Sequence, residues 1–138
     1  MLTSILLADD HKIVRQCIRS LLEYEIDFEV VGEAGDGAEA LDLLERMRPD
    51  ILLTDISMPI YNGIELAAEI RERKWLTKVV ILSMHGDEPY VVAAFNHGVC
   101  AYVLKESGAE LAVKAIREAI AGRCYVSPPL VLPTMQTK

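Results

Sequence analysis

Residues 4–10 read SILLADD, an apolar run of strand character that ends on Asp9 and Asp10. Three later segments have the same form: ILLTD at 51–55, VVILS at 79–83 and AYVLK at 101–105. Each run ends on a carboxylate, a hydroxyl or an ammonium, all of which can handle a phosphoryl group. If the strands lie parallel, their carboxyl ends share one edge of a sheet. The sequence therefore predicts a site at which these side chains converge.

Strand-like and helix-like segments alternate five times along the chain. This alternation is typical of βαβ units, with a parallel sheet covered by helices on both faces. The run FEVVGE at 28–33 mixes polar and apolar residues, which favours an edge strand. Three helix starts are indicated by capping boxes, in which Asp36, Asn62 and Ser107 each precede a glutamate by three residues.

The character of the sequence changes after Gly122. Prolines at 128, 129 and 133 interrupt a short segment without a helical or strand period. We therefore expect one domain over residues 1–123, followed by a proline-rich linker or C-terminal tail over residues 124–138. An irregular segment packed on the domain is the alternative, because Val126 and Leu130 are apolar.

Composition limits the functional class. A chain of 138 residues suffices for one domain with a full core. Its net charge of −7 argues against direct binding to nucleic acid or to an anionic membrane surface. No apolar run approaches the length of a bilayer span, and residues 1–10 lack the basic n-region of a secretory signal, so we expect a cytoplasmic protein with no membrane partner. We also expect the three cysteines to be buried, reduced thiols.

The strand-end residues suit metal binding and phosphoryl chemistry. Asp9, Asp10 and Asp55 would repel one another unless a cation compensated, and their oxygens suit Mg²⁺ or Mn²⁺. Asp55 lies at the start of a loop and could act as a nucleophile toward phosphorus. Lys105 and Ser83 could bind the phosphoryl oxygens. Two alternatives are structural: a helix N-cap at Asp9 and Asp10, and a solvated lysine after an edge strand.

Four motifs together resemble the receiver domain of bacterial two-component response regulators: ILLADDH, LLTDISMPIYNG, VVILSMH and AYVLKES. The resemblance covers about residues 3–123 and is greatest to the NarL/FixJ (LuxR-type) subfamily. It implies a flavodoxin-like, doubly wound α/β fold with five parallel strands in the order 2-1-3-4-5.

The resemblance also implies a metal site. It identifies Asp55 as the phosphoacceptor. Asp10 and Asp55 would bind Mg²⁺ through their side chains, and Mn²⁺ could replace it. The backbone carbonyl of Ser57 would be a third ligand, and Asp9 would support the ligands without binding the ion directly.

A conformational switch is implied in the same way. Lys105 and Ser83 match the residues that bind the phosphoryl group, and Ser83 and Tyr102 match the switch pair. A half-buried tyrosine on an edge strand is the structural alternative for Tyr102. The cis-proline that follows the lysine in many receivers is replaced here by Glu106.

The implied partners are a sensor histidine kinase and, on phosphorylation, a second copy of the protein. DNA would be bound only through a C-terminal helix-turn-helix domain, so we expect the chain to be a fragment of a transcription regulator. Such a domain catalyses its own modification and is not an enzyme on a separate substrate. One rival is an aspartate-nucleophile phosphatase, which typically has an acid where Ser57 stands. The other is a dimerisation module that works without phosphorylation, although such modules often lose some of the site residues.

Overall fold

Parallel strands and helices alternate along the chain in the computed structural model, which describes residues 2–108 and 110–133. The strands are β1 (Thr3–Ala8), β2 (Phe28–Ala34), β3 (Ile51–Thr54), β4 (Lys78–Ser83), β5 (Ala101–Leu104) and β6 (Tyr125–Val126). The helices are α1 (Lys12–Glu23), α2 (Gly37–Met47), α3 (Gly63–Glu72), α4 (Glu88–Asn96) and α5 (Glu110–Ile120), with a 3₁₀ turn at Lys105–Ser107.

All six strands form one parallel sheet in the order β2-β1-β3-β4-β5-β6. The predicted doubly wound parallel sheet is confirmed, and β2 is an edge strand as expected. The predicted number of five strands was wrong, because β6 adds to the free side of β5. Tyr125 and Val126 pair there with Ala101 and Tyr102.

The sheet separates two apolar layers, since successive strand residues point to opposite faces. Leu6 and Leu52 face a layer completed by α2, α3 and α4. Leu7 and Leu53 face the opposite layer, completed by α1 and α5. The central strands are buried on both faces, which explains their unbroken apolar runs.

The segment that follows α5 packs on the domain as far as residue 130. It supplies β6, and Ser127 is fully buried. Leu130 packs against the layer on the α4 side of the sheet. Residues 124–130 are therefore not a free linker, while the division of the chain at residue 123 stays a prediction.

The helix starts agree only in part with the capping boxes. Asn62 and Glu65 form the complete reciprocal box at α3. Asp36 caps α2 by accepting from the Glu39 amide. The box predicted at Ser107 was wrong, because this residue lies in the 3₁₀ turn and donates its hydroxyl proton to the carbonyl of Pro128.

The expectation of buried thiols also needs correction. Cys17 and Cys124 are exposed and Cys100 is half-buried, and all three are free. Cys17 follows the apolar spacing of α1 but lies at the margin of its buried stripe, where Ile18 and Leu22 take the interior positions. Among the described residues, no helix combines the length and apolarity required to cross a membrane.

Candidate functional site

The carboxylates of Asp9 and Asp55 are brought together by two central strands. The register pairs Ala8 with Thr54, so the next residue of each strand stands at the same edge of the sheet. The Asp55 amide donates to the carbonyl of Ala8 at 2.9 Å, and the Asp9 amide donates to that of Ala34 at 3.0 Å. Both aspartates are buried, with 2% and 5% of their surface exposed.

Lys105 joins these two carboxylates from the end of β5. Its Nζ donates to Oδ2 of Asp9 at 3.0 Å and to Oδ2 of Asp55 at 3.2 Å. Burial alone would lower the pKa of Lys105, but the hydrogen bond to Asp9 and the charges on both aspartates outweigh it and raise the pKa. The side chain is 15% exposed. The alternative of a solvated lysine after an edge strand is therefore wrong.

Asp10 and His11 complete an acidic cluster. One ligand atom from each of Asp9, Asp10, His11 and Asp55 lies within 4.8 Å of the others. His11 donates its amide to Oδ1 of Asp9 at 2.8 Å, and its Nδ1 lies 3.2 Å from Oδ1 of Asp10. His11 is the N-cap residue of α1, so the alternative that assigned this role to the aspartates was wrong.

The donor set fits Mg²⁺ or Mn²⁺. Three carboxylates supply the hard oxygen ligands that these ions prefer, although the His11 nitrogen by itself would also suit other transition metals. The amide of Ser57 donates to Oδ1 of Asp55 at 3.3 Å, which places the Ser57 main chain beside the cluster. Asp10 and Ser57 line a depression of about 530 Å³, where a small charged ligand could enter.

Ser83 and Tyr102 both contact the loop at His85. The Ser83 hydroxyl accepts from the His85 amide at 2.9 Å, and the Tyr102 hydroxyl donates to the His85 carbonyl. Tyr102 is completely buried, so its description as a half-buried edge tyrosine was wrong. Burial raises the pKa of its phenol, which keeps the hydroxyl protonated as a donor.

Arg15 supports the site from α1, although none of the sequence motifs contains it. Its Nη1 donates to the carbonyl of Asp9, and its Nε donates to Glu33 at 2.8 Å. Arg19 also donates to Glu33. The four-residue spacing of the two arginines places them on one helix face, which is a signal for a shared acidic partner but does not identify it.

Comparison with known proteins gives matches over most of the chain. Residues 5–117 match the family model described as the response regulator receiver domain. The chain is 37% identical over 124 residues to the transcriptional regulatory protein DegU of Brevibacillus brevis, covering 90% of this chain and 52% of DegU. It is 36% identical over 127 residues to the nitrate/nitrite response regulator protein NarL of Escherichia coli K12, covering 92% of this chain and 59% of NarL.

A solved structure shows the same fold. The signal receiver domain of the putative response regulator NarL from Mycobacterium tuberculosis superposes with a TM-score of 0.85 at 34% identity. The match covers 88% of this chain and 98% of that one. By contrast, the chain spans little more than half the length of DegU and of Escherichia coli NarL. With the family model matching most of its length, the chain belongs to the response regulator receiver domain family and corresponds to the receiver portion of regulators such as DegU and NarL.

Proposed function

We propose that Asp55 accepts a phosphoryl group and that this modification switches the domain between two conformations. The observation that carries the proposal is the position of Lys105, whose ammonium lies within hydrogen-bond distance of Asp55 and Asp9. A buried carboxylate beside a fixed cation is suited to receive an anion that would otherwise be repelled.

In the proposed step, a carboxylate oxygen of Asp55 attacks the phosphorus of a phosphodonor. An oxygen–phosphorus bond forms as the bond from phosphorus to the donor breaks, and the donor leaves with its electron pair. The donor is the phosphohistidine of a sensor histidine kinase or a small acyl phosphate. Lys105 then turns from the carboxylate to the phosphoryl oxygens, where its charge offsets the added negative charge.

Asp10 and Asp55 would hold Mg²⁺ through their carboxylates, with the carbonyl of Ser57 as a further ligand and Asp9 supporting them. When bound, this ion supplies charge compensation for the phosphoryl oxygens during transfer. The clustering of the Asp9, Asp10 and Asp55 oxygens supports this assignment. His11 contacts two of these aspartates and orients them.

Ser83 and Tyr102 are proposed to change conformation when Asp55 is phosphorylated. Ser83 would donate its hydroxyl proton to a phosphoryl oxygen, and Tyr102 would follow the resulting movement of the His85 loop. The phosphorylated domain would form a homodimer and control transcription through a DNA-binding domain outside this chain. Relatives named as transcriptional regulators support this output.

Neither rival function is favoured. Ser57 occupies the position where an aspartate-nucleophile phosphatase typically has its second acid. A dimerisation module that is never phosphorylated would not need Lys105 placed between two buried carboxylates. The geometry fits transfer to Asp55 better than either.

Incubation with Mg²⁺ and acetyl phosphate, followed by intact mass measurement, tests the proposal. We expect one phosphoryl adduct in the native protein and none in Asp55→Asn. Asp42→Asn, which changes an exposed aspartate on α2, is the matched control and should retain the adduct. An adduct that persists in Asp55→Asn, or a native protein without one, would refute the assignment.

A further inference from the structure

The segment that follows α5 runs parallel to β5 along the edge of the sheet, in the direction of the candidate site. Residues 124–132 form this segment, which we name the strap. Its first part is β6, which pairs Tyr125 with Ala101 and Val126 with Tyr102. The strap therefore lies directly beside the strand that carries Tyr102 and leads into Lys105.

Ser127 attaches the strap to the end of β5. It is fully buried, its amide donates to the carbonyl of Tyr102 at 3.0 Å, and its hydroxyl accepts from the amide of Leu104 at 2.8 Å. The Ser107 hydroxyl adds a bond to the carbonyl of Pro128 at 2.8 Å. These bonds attach the strap on both sides of Lys105.

Leu130 connects the strap to the loop between β4 and α4. The Leu130 amide donates to the carbonyl of Ser127 at 2.9 Å, which turns the strap toward α4. A Cβ atom added at Gly86 would lie 3.3 Å from Cδ2 of Leu130 and 2.9 Å from Cδ2 of Leu104. The loop backbone at Gly86 is thus packed closely against the strap and β5.

The same loop carries the proposed switch contacts. His85, next to Gly86, donates its amide to Ser83 and accepts from the Tyr102 hydroxyl. The loop is therefore held by Ser83 from β4, by Tyr102 from β5 and by Leu130 from the strap. We expect a movement of Ser83 to alter the packing at Gly86, because the Ser83 hydroxyl is bonded to the neighbouring residue His85.

We propose that the strap is the output element of the domain, and that phosphorylation of Asp55 stabilises its docked position on β5. This inference rests on the proposed phosphoacceptor function. Docking of the strap orders the loop that positions Ser83, and Ser83 must be ordered to bind a phosphoryl oxygen. The effect is reciprocal by thermodynamic linkage. If docking of the strap favours phosphoryl binding by a given free energy, phosphoryl binding favours docking of the strap by the same free energy.

Amide hydrogen exchange on the native protein tests the proposal, with BeF₃⁻ and Mg²⁺ as a stable analogue of the phosphorylated state and intact mass with acetyl phosphate run in parallel. We expect the amides of Leu104, Ser127 and Leu130 to exchange about ten-fold more slowly with the analogue, within the range typical of coupled sites. Asp55→Asn under the same conditions should show no change. An adduct on Asp55 without slower exchange in the strap would overturn the inference and leave the proposed function standing. Absence of the adduct would overturn both.

A pair of variants tests the reciprocal effect. Leu130→Ala removes the contact with the Gly86 loop and should weaken BeF₃⁻ binding by about the same ten-fold factor. Val131→Ala, at a neighbouring residue that is 81% exposed, should bind with native affinity. Equal affinity in both variants would contradict the coupling. If Leu130→Ala does not fold, the exchange measurement on the native protein decides the question alone.

Discussion

The ammonium nitrogen of Lys105 lies 3.2 Å from Oδ2 of Asp55, although the two residues are fifty positions apart in the sequence. It also lies 3.0 Å from Oδ2 of Asp9, so one cation serves two buried carboxylates. The contact depends on β1, β3 and β5 ending at one edge of the sheet. It therefore links the stability of the fold to the charge state of the site.

Replacing Lys105 by methionine should expose this link. Asp9 and Asp55 would face each other without the cation, so the free energy of unfolding without Mg²⁺ should fall by about 2 kcal/mol. Added Mg²⁺ should then stabilise Lys105→Met more than the native protein, because the ion binds more tightly where no ammonium group competes for Asp55. Urea titrations with and without Mg²⁺ measure both effects. Equal stabilisation of the two proteins by Mg²⁺ would contradict the assignment of Asp55 as a ligand of the ion.

Asp10→Asn should separate metal binding from folding. Asp10 is more exposed than Asp9 or Asp55 and has no contact with Lys105 among the described ion pairs. We expect the change to weaken Mg²⁺ binding about ten-fold or more, since neutral amides are poorer ligands, and to change stability by less than about 0.5 kcal/mol. The rise in Tm on Mg²⁺ titration is the measurement. Asp87→Asn, at the N-cap of α4 and outside the acidic cluster, is the control and should show the same rise in Tm with Mg²⁺ as the native protein.

Gly37→Ala should be strongly destabilising. A Cβ atom at this position would lie 2.1 Å from the backbone carbonyl oxygen of Tyr61, so the start of α2 and the loop after β3 would have to separate. We expect a loss of about 3 kcal/mol in the free energy of unfolding, measured by chemical denaturation. Gly35→Ala is the matched control, because its nearest neighbour is the end of the Arg15 side chain at 3.5 Å. Similar losses in the two variants would show that the close approach is not the cause.

Glu33→Gln should give a pH-dependent loss of stability. The hydrogen bond from Arg19, together with that from Arg15, lowers the pKa of Glu33 below its ordinary 4.5 despite partial burial. A lowered pKa in the folded state stabilises the protein above about pH 4.5, and the contribution disappears as the pH falls through the folded pKa. The free energy of unfolding of the native protein should therefore be about 1 kcal/mol higher than that of Glu33→Gln at pH 7, and the difference should be small near pH 3.

Denaturation at a series of pH values measures this difference. Glu29→Gln, at an exposed position of the same strand, is the control and should show no such dependence. A difference between Glu33→Gln and the native protein that stays constant from pH 7 to pH 3 would rule out the ion pairs as its source.

The convergence of Asp9, Asp55 and Lys105 could be predicted because it depends only on parallel strands ending at one edge. Long apolar runs and regular alternation indicate that arrangement without knowledge of side-chain contacts. The relation of Ser83 to Tyr102 could not be predicted in the same way. Both side chains form hydrogen bonds with the main chain of His85, and a backbone partner of this kind cannot be deduced from the identity of the residues.

β6 was missed for a different reason. Two residues cannot show a period, and the prolines that follow them are more typical of a linker. The strand exists because β5 offers unpaired backbone groups to β6. The Ser127 hydroxyl then accepts a hydrogen bond from the amide of Leu104, the last residue of β5. Likewise, Cys17 shares the spacing of the apolar stripe on α1, yet its exposure depends on where the helix meets the sheet.

The pairing of β6 with β5 also bears on solubility. An unprotected edge strand offers free backbone donors and acceptors to other protein molecules, and is a common origin of aggregation. β5 has the largely apolar sequence AYVL, so without β6 beside it the strand would be an exposed edge prone to aggregation. A protein shortened to residue 123 would lose β6 and Ser127 together. We expect that shortened protein to self-associate at concentrations where the 138-residue protein stays monomeric. Residues 125–127 would thus protect the edge of β5 from pairing with other molecules.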